Sequence, residues 1–251
     1  MTLQQQKQYH TQTALGDVGR YVLMPGDPGR VPIIAARLEN PRHIATNREY
    51  VTYTGTLEGT LVSVTSTGIG CPSSAIAIEE LFRSGADTFI RVGTSGSFQP
   101  GTRSNDIAIA TGAIRHEGTS SHYMPIEFPA VCNIEIVQSM RRAVTRLGLR
   151  HQVGISHSKD SYYGEVEPER SALPEELADL WRAWTIGGAI CSEMELSTIC
   201  IVSSILGARA GGIMAMHGEG EFGPLDSLID AAVESVRELI RFDLKENSVD
   251  N

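Results

Sequence analysis

The stretch Ile90-Arg91-Val92-Gly93-Thr94-Ser95-Gly96-Ser97 decides how this chain folds. An apolar segment from Asp87 to Ile90 leads into it, so Thr88 to Val92 reads as a buried strand that runs out into small, hydroxylated residues. Glycines allow close backbone approach, N–H and hydroxyl groups donate, and arginine adds a forked cation. Such a stretch can hold a doubly charged anion. From these residues alone, a strand end followed by an ordinary turn reads equally well.

The neighbouring segments repeat the pattern. Tyr21-Val22-Leu23-Met24 is a short apolar run stopped by Pro25-Gly26-Asp27-Pro28, and Leu61 to Thr65 is a β-branched run followed by Gly68-Ile69-Gly70. Further strands are expected at Asp106–Ala110, Val153–Ser156 and Ala210–Met216. Helical spacing marks Val31–Leu38, Ser73–Ser84, Asn133–Leu147, Pro174–Trp184, Glu193–Leu206 and Asp226–Phe242, with Gly85 as a C-cap. Strands alternating with helices imply a mainly parallel or mixed sheet covered on both faces. In such sheets ligands bind beyond the carboxyl ends of the strands, where all three glycine-bearing loops fall. No GxGxxG follows the first strand, which argues against a dinucleotide fold.

Composition narrows the function classes. Hydrophobic residues make up 41% of the 251 residues, so the chain is not a disordered one. A net charge of −9 argues against broad nucleic-acid binding and confines any phosphate site to a local cluster. No apolar run reaches membrane-spanning length and the polar start lacks a signal-peptide core, so a soluble cytoplasmic protein is expected. The four cysteines, Cys71, Cys132, Cys191 and Cys200, have no CxxC spacing and read as buried free thiols. Only Lys7, Lys159 and Lys245 are lysines, the other basic residues being arginine. One domain is expected over residues 8–243, with flexible termini at 1–7 and 244–251.

Taken together, the segments resemble the nucleoside phosphorylases of the uridine phosphorylase type. The likeness rests on Pro25-Gly26-Asp27-Pro28-Gly29-Arg30, Asn47-Arg48-Glu49-Tyr50, Ser66-Thr67-Gly68-Ile69-Gly70, Arg91-Val92-Gly93-Thr94, Pro125-Ile126-Glu127-Phe128-Pro129-Ala130 and Ser192-Glu193-Met194-Glu195. The resemblance implies an α/β fold of one domain, a mixed twisted sheet forming a distorted barrel flanked by helices. It implies a pentosyltransferase with inorganic phosphate as co-substrate and no organic cofactor. It also implies a homo-oligomer built on dimers, a hexamer of three dimers in many members.

Carried over, the resemblance implies that Gly26, Arg30, Arg91 and Thr94 bind phosphate and that Arg48 reaches it from the neighbouring subunit. Glu193, Met194 and Glu195 would hold the ribose, with His10 of the neighbour at the 5′-hydroxyl. Glu49, Ile69 and Ser73 match positions that hold a potassium ion at the dimer interface in some members. Ser95, Gly96, Tyr162, Glu165, Arg170 and His217 would face the base.

Two departures bear on the base. Glu165 stands where uridine-cleaving relatives offer a glutamine. A glutamine can both accept and donate, whereas an ionised glutamate only accepts, which suits the N1–H of a 6-oxopurine. His217 occupies the strand end where purine-cleaving relatives carry an aspartate that helps protonate the leaving base, so His217 joins Arg91 and Glu195 as a candidate catalytic residue; no arginine lies between Arg209 and Arg237, where uridine-cleaving relatives have one. Uridine is the lead substrate on the breadth of the likeness, and inosine or guanosine is the alternative. A nucleoside hydrolase is disfavoured by the retained arginines. A nucleoside-binding protein without turnover is the remaining reading.

Overall fold

The computed structural model describes residues 6–249. Ten strands form one sheet: β1 (Tyr21–Met24), β2 (Glu39–Asn47), β3 (Tyr50–Leu57), β4 (Thr60–Thr65), β5 (Thr88–Ser97), β6 (Ile107–His116), β7 (Ala130–Val131), β8 (His151–Lys159), β9 (Cys191–Glu193) and β10 (Arg209–His217). The helices are α1 (Arg30–Ala35), α2 (Cys71–Arg83), α3 (Ile134–Arg146), the single turn α4 (Tyr163–Val166), α5 (Pro174–Ile186), α6 (Leu196–Leu206) and α7 (Asp226–Val249).

The sheet runs β10-β6-β8-β9-β5-β1-β4-β3-β2, and β10 also pairs with β5. The second pairing closes β5, β10, β6, β8 and β9 into a ring, the distorted barrel, while β1, β4, β3 and β2 extend from it as an open wing. Parallel pairs (β1–β4, β1–β5, β5–β10, β6–β8, β8–β9) mix with antiparallel ones (β2–β3, β3–β4, β5–β9, β6–β7, β6–β10). The inner strands need two apolar faces, which is why β1 is buried along its whole length and β5 from Thr88 to Gly93. The buried side chains of Val18 through Ile240 make one continuous core.

The pairing of β5 opens a gap in the sheet. Along one edge it pairs with β1 only from Thr88 to Arg91, and with β9 only at Gly96 and Ser97. Between these partners the sheet splits, and the backbone from Val92 to Ser95 is free of strand pairing on that edge. A split between neighbouring strands at their carboxyl ends is where α/β sheets admit ligands.

Several boundaries differ from the sequence reading. The β2–β3 hairpin is new, because β2 exposes nearly all of its residues and carries no apolar alternation. The helix expected from Glu193 begins at Leu196, and Cys191–Glu193 is instead the strand β9. The reason is local: the Glu193 carboxylate accepts the N–H groups of Glu195 and Leu196 at 2.8 and 2.9 Å and so caps α6 from outside. Residues 244–249, expected to be a flexible end, continue α7. Its late turns are anchored by Asp243, which accepts the Tyr21 hydroxyl at 2.5 Å and pairs with Arg209 at 2.6 Å. Residues 1–5, 250 and 251 of the expected termini lie outside the described residues. Asn133 caps α3 by accepting the Ile136 N–H, close to the expected start.

The N-terminal segment is tied down by one carboxylate. Glu80 of α2 accepts the N–H groups of His10 and Thr11, takes the Thr11 hydroxyl at 2.9 Å, and meets His10 Nδ1 at 2.8 Å. All four cysteines are free and buried. No helix among the described residues is long and apolar enough to cross a membrane.

Candidate active site

A cavity of about 500 Å3 opens at the split in the sheet. It is lined by the first loop (Gly26, Asp27, Arg30), the second loop (Ile69), the end of β5 (Arg91, Gly93 to Gly96), β9 and the turn after it (Ser192 to Glu195), the α4 region (Tyr162, Glu165, Val166), and the tips of β8 (Lys159) and β10 (His217).

At one end lie two guanidinium groups. Arg91 is the last β5 residue paired with β1 and its side chain is 6% exposed. Its Nε lies 2.7 Å from Glu193, and its Nη2 pairs with Glu195. Burial pulls its pKa down, but Glu195 and Glu193 outweigh burial and hold it above its ordinary value. Arg30, at the start of α1, pairs loosely with Asp27 at 3.6 Å. Burial lowers its pKa, and the charge of nearby Arg91 lowers it further against the pull of Asp27. Both Arg30 and Arg91 keep a buried Nη1 with no hydrogen-bond partner. Two like charges with unused donors, beside Thr94 and the Gly26 backbone, form a receptor for a compact anion.

The carboxylates beside Arg91 have different tasks. Glu193 is already fully engaged: one oxygen takes the hydroxyls of Ser156 and Ser158, and the other takes Arg91 and two N–H groups. It therefore positions Arg91 and caps α6 while lining the cavity. Glu195 accepts the Gly70 N–H at 2.8 Å, and burial pushes its carboxyl pKa up while Arg91 opposes that. Cys71 has no basic partner, and burial pushes its thiol pKa well up.

The opposite end is built from Gly96, Tyr162, Glu165, Lys159, Ser192 and His217. Sheet register sets Gly96 opposite both Ser192 and His217. A Cβ at Gly96 would lie 3.1 Å from Glu165 Oε1, so glycine makes room for that carboxylate. Glu165 pairs with Lys159 at 2.5 Å, and Ser192 bridges the two. His217 is exposed and stacks on Phe222, ring centroids 3.7 Å apart.

Of the expected site residues, Gly26, Arg30, Ile69, Arg91, Thr94, Ser95, Gly96, Tyr162, Glu165, Glu193, Met194, Glu195 and His217 converge here. Arg170 does not: its guanidinium pairs with Glu167 and lies over the Tyr163 ring, its side chain 68% exposed. His10 and Arg48 also lie outside this chain's cavity. Arg48 sits at the tip of the β2–β3 hairpin with φ at +52°, and the adjoining Asn47 donates to the His10 carbonyl at 2.7 Å. Glu49 and Ser73 approach each other beside Gly68, where a Cβ would meet Glu49 Cγ at 2.8 Å and Ser73 Oγ at 3.5 Å. Sequence reading missed Lys159, Ser192 and Gly93. Lys159 had one signal, its place among only three lysines.

The sequence model of the phosphorylase superfamily matches residues 20–242, and the chain belongs to that family. Within it, the chain is a nucleoside phosphorylase of the uridine phosphorylase type, a pentosyltransferase. It is 42% identical to the uridine phosphorylase of Treponema pallidum over 94% of this chain and 95% of that one. It is 44% identical to the uridine phosphorylase of Thermococcus kodakarensis over 94% of this chain and 88% of the relative. A guanosine phosphorylase of Halorubrum lacusprofundi is 36% identical over 95% of this chain and 97% of its own length.

Proposed function

We propose that this enzyme cleaves uridine to uracil and ribose 1-phosphate, with inorganic phosphate as the attacking group. The paired buried guanidinium groups of Arg30 and Arg91, each with an unused Nη1, carry the reading. Phosphate occupies that end, held by Arg30, Arg91, Thr94 and the Gly26 N–H. Glu195 and Met194 take the ribose hydroxyls next to it, and Ser95, Gly96, Tyr162, Glu165 and His217 face the base.

The order phosphate, ribose, base along one cavity is what the chemistry needs. A phosphate oxygen attacks C1′ from the face opposite the base, and the C1′–N bond breaks through an oxocarbenium-like state. No covalent nucleophile is required, so catalysis rests on positioning and electrostatics. Glu195, a buried carboxylate, accepts from the ribose hydroxyls and places negative charge near the developing cation.

The site is completed across a subunit boundary. Arg48 and His10 lie together, outside their own cavity, and supply the neighbour's phosphate and 5′-hydroxyl contacts in a dimer that assembles further into a hexamer. Glu49, Ser73 and the Ile69 carbonyl present hard oxygen donors that suit a potassium ion beside that boundary. The protein works in the cytoplasm, in nucleoside breakdown and base salvage.

A 6-oxopurine nucleoside is the second reading, favoured by the Glu165 carboxylate in the cavity and by the guanosine-cleaving relative. The test is base release from uridine, inosine and guanosine with and without phosphate. Release that needs phosphate and yields ribose 1-phosphate supports the proposal, and equal release without phosphate refutes it.

A further inference from the structure

We propose that Lys159 is the cation that receives the negative charge of the departing base, and that with Glu165 it reads a ring carbonyl beside an N–H. The inference rests on the phosphorolytic reading and extends it to the base end. Among the described residues lining the cavity, Arg30, Arg91 and Lys159 are the arginines and lysines. Arg91 belongs to the Glu193–Glu195 end and Arg30 lies near it. Arg170, the arginine expected to meet the base, points elsewhere. Lys159 therefore stands as the fixed cation at the base end.

Its surroundings fit that task. The Lys159 side chain is 8% exposed, and its ammonium is held by Glu165 at 2.5 Å and by the Ser192 hydroxyl at 2.7 Å. An ammonium has three donors, so one remains beyond these partners. Glu165 keeps Oε1 against Gly96, on the cavity side. Together they offer one donor and one acceptor side by side. Uracil, hypoxanthine and guanine all present the matching edge, a carbonyl next to an N–H. Cytosine and adenine present the reverse, an amino group next to a bare ring nitrogen, and leave both Lys159 and Glu165 facing like groups.

The same contact serves the reaction. As the phosphate oxygen bonds to C1′, the electron pair of the C1′–N bond passes to the base and spreads onto its carbonyl oxygens. The Lys159 ammonium meets that charge in a site with little water, and the free base then takes a proton from solvent.

The experiment compares the wild-type enzyme with Lys159→Met, which keeps the length of the side chain and removes its charge. With saturating phosphate, kcat/KM for the preferred one of uridine and guanosine should fall by about 100-fold or more, with the KM for phosphate unchanged. The loss should shrink for 5-fluorouridine, whose base leaves more readily, and for 7-methylguanosine, whose base departs without net negative charge. A structural role for Lys159 would lower good and poor leaving groups alike. Equal losses, or a loss below about threefold, would overturn the proposal. Should Lys159→Met fail to fold, the wild type decides by calorimetry: uracil must bind better than cytosine, or guanine better than adenine, and equal affinities overturn it. If the wild type releases no base with phosphate, the phosphorolytic reading fails separately, and the same binding comparison still judges the Lys159–Glu165 pair.

Discussion

A Cβ placed on Gly93 would lie 2.9 Å from Cζ and Nη2 of Arg91. Residues two apart on a strand share a face, so the Arg91 guanidinium lies folded along its own strand, over the space that glycine leaves empty. The position of the buried cation thus depends on the absence of a side chain two residues along the strand.

Gly93→Ala should displace the Arg91 guanidinium without removing it. We expect the KM for phosphate to rise by about 10- to 100-fold, because misplacement by an ångström costs on that order. Steady-state kinetics at varied phosphate check this. An unchanged phosphate KM would show that the guanidinium does not meet the anion.

Glu195→Gln should retain the shape of the site and the hydrogen bond from Gly70 while removing the charge beside the ribose. The expected loss is about 100- to 1,000-fold in kcat, with a smaller change in nucleoside KM, since the charge acts mainly on the cationic transition state. Activity within threefold of the wild type would remove Glu195 from the mechanism.

Arg48→Ala and Arg91→Ala should each be inactive alone, yet recover activity when mixed and reassembled. In a hetero-dimer one site combines an intact Arg91 with the intact Arg48 of its neighbour. Random pairing of equal amounts restores about a quarter of the sites. No recovery after verified subunit exchange would mean that Arg48 serves its own chain.

Glu165→Gln should raise turnover of uridine relative to inosine, because uracil flanks its N–H with a second carbonyl, to which the amide can donate and which the carboxylate repels, whereas hypoxanthine has a C–H there. The ratio of kcat/KM for the two nucleosides measures this directly, and an unchanged ratio would place Glu165 away from the base.

Glu80 makes a stability prediction with a definite pH sign. Burial works against its charged form, but hydrogen bonds from Thr11 and His10 outweigh burial, and its pKa lies below the ordinary 4.5. A carboxylate depressed in the folded state stabilises fully above its unfolded pKa and loses that contribution as pH falls below about 4.5. Glu80→Gln should lower stability by about 1–3 kcal/mol at pH 7. The difference from wild type should narrow on acidification, as denaturant melts at pH 7 and pH 4 would show.

The guanidinium end of the cavity was legible in the sequence because it is built from short local motifs. Gly26 and Arg30 share one loop, Arg91 and Thr94 one strand end, and Met194 and Glu195 one turn. Each motif carries its own chemistry, and a strand that ends in glycine and hydroxyl residues indicates where a ligand approaches. The base end was less legible. Lys159, Glu165, Ser192 and His217 come from four separate segments, and sheet register and the α4 turn bring them together. Arg170 shows the converse: it sits in a matching motif, yet its guanidinium pairs with Glu167, three residues away, outside the cavity lining.

The sequence by itself determined the alternation of strands and helices, the family, and most of the residues that line the cavity. Periodicity and local motifs encode those properties within a few residues of each other. Only the tertiary structure decided that β5 changes partners after Arg91, that Glu193 holds Arg91, and that Lys159 lies buried against Glu165. Each of these is a contact between segments far apart in the chain. Such contacts follow from how the sheet closes, which no local window of residues contains.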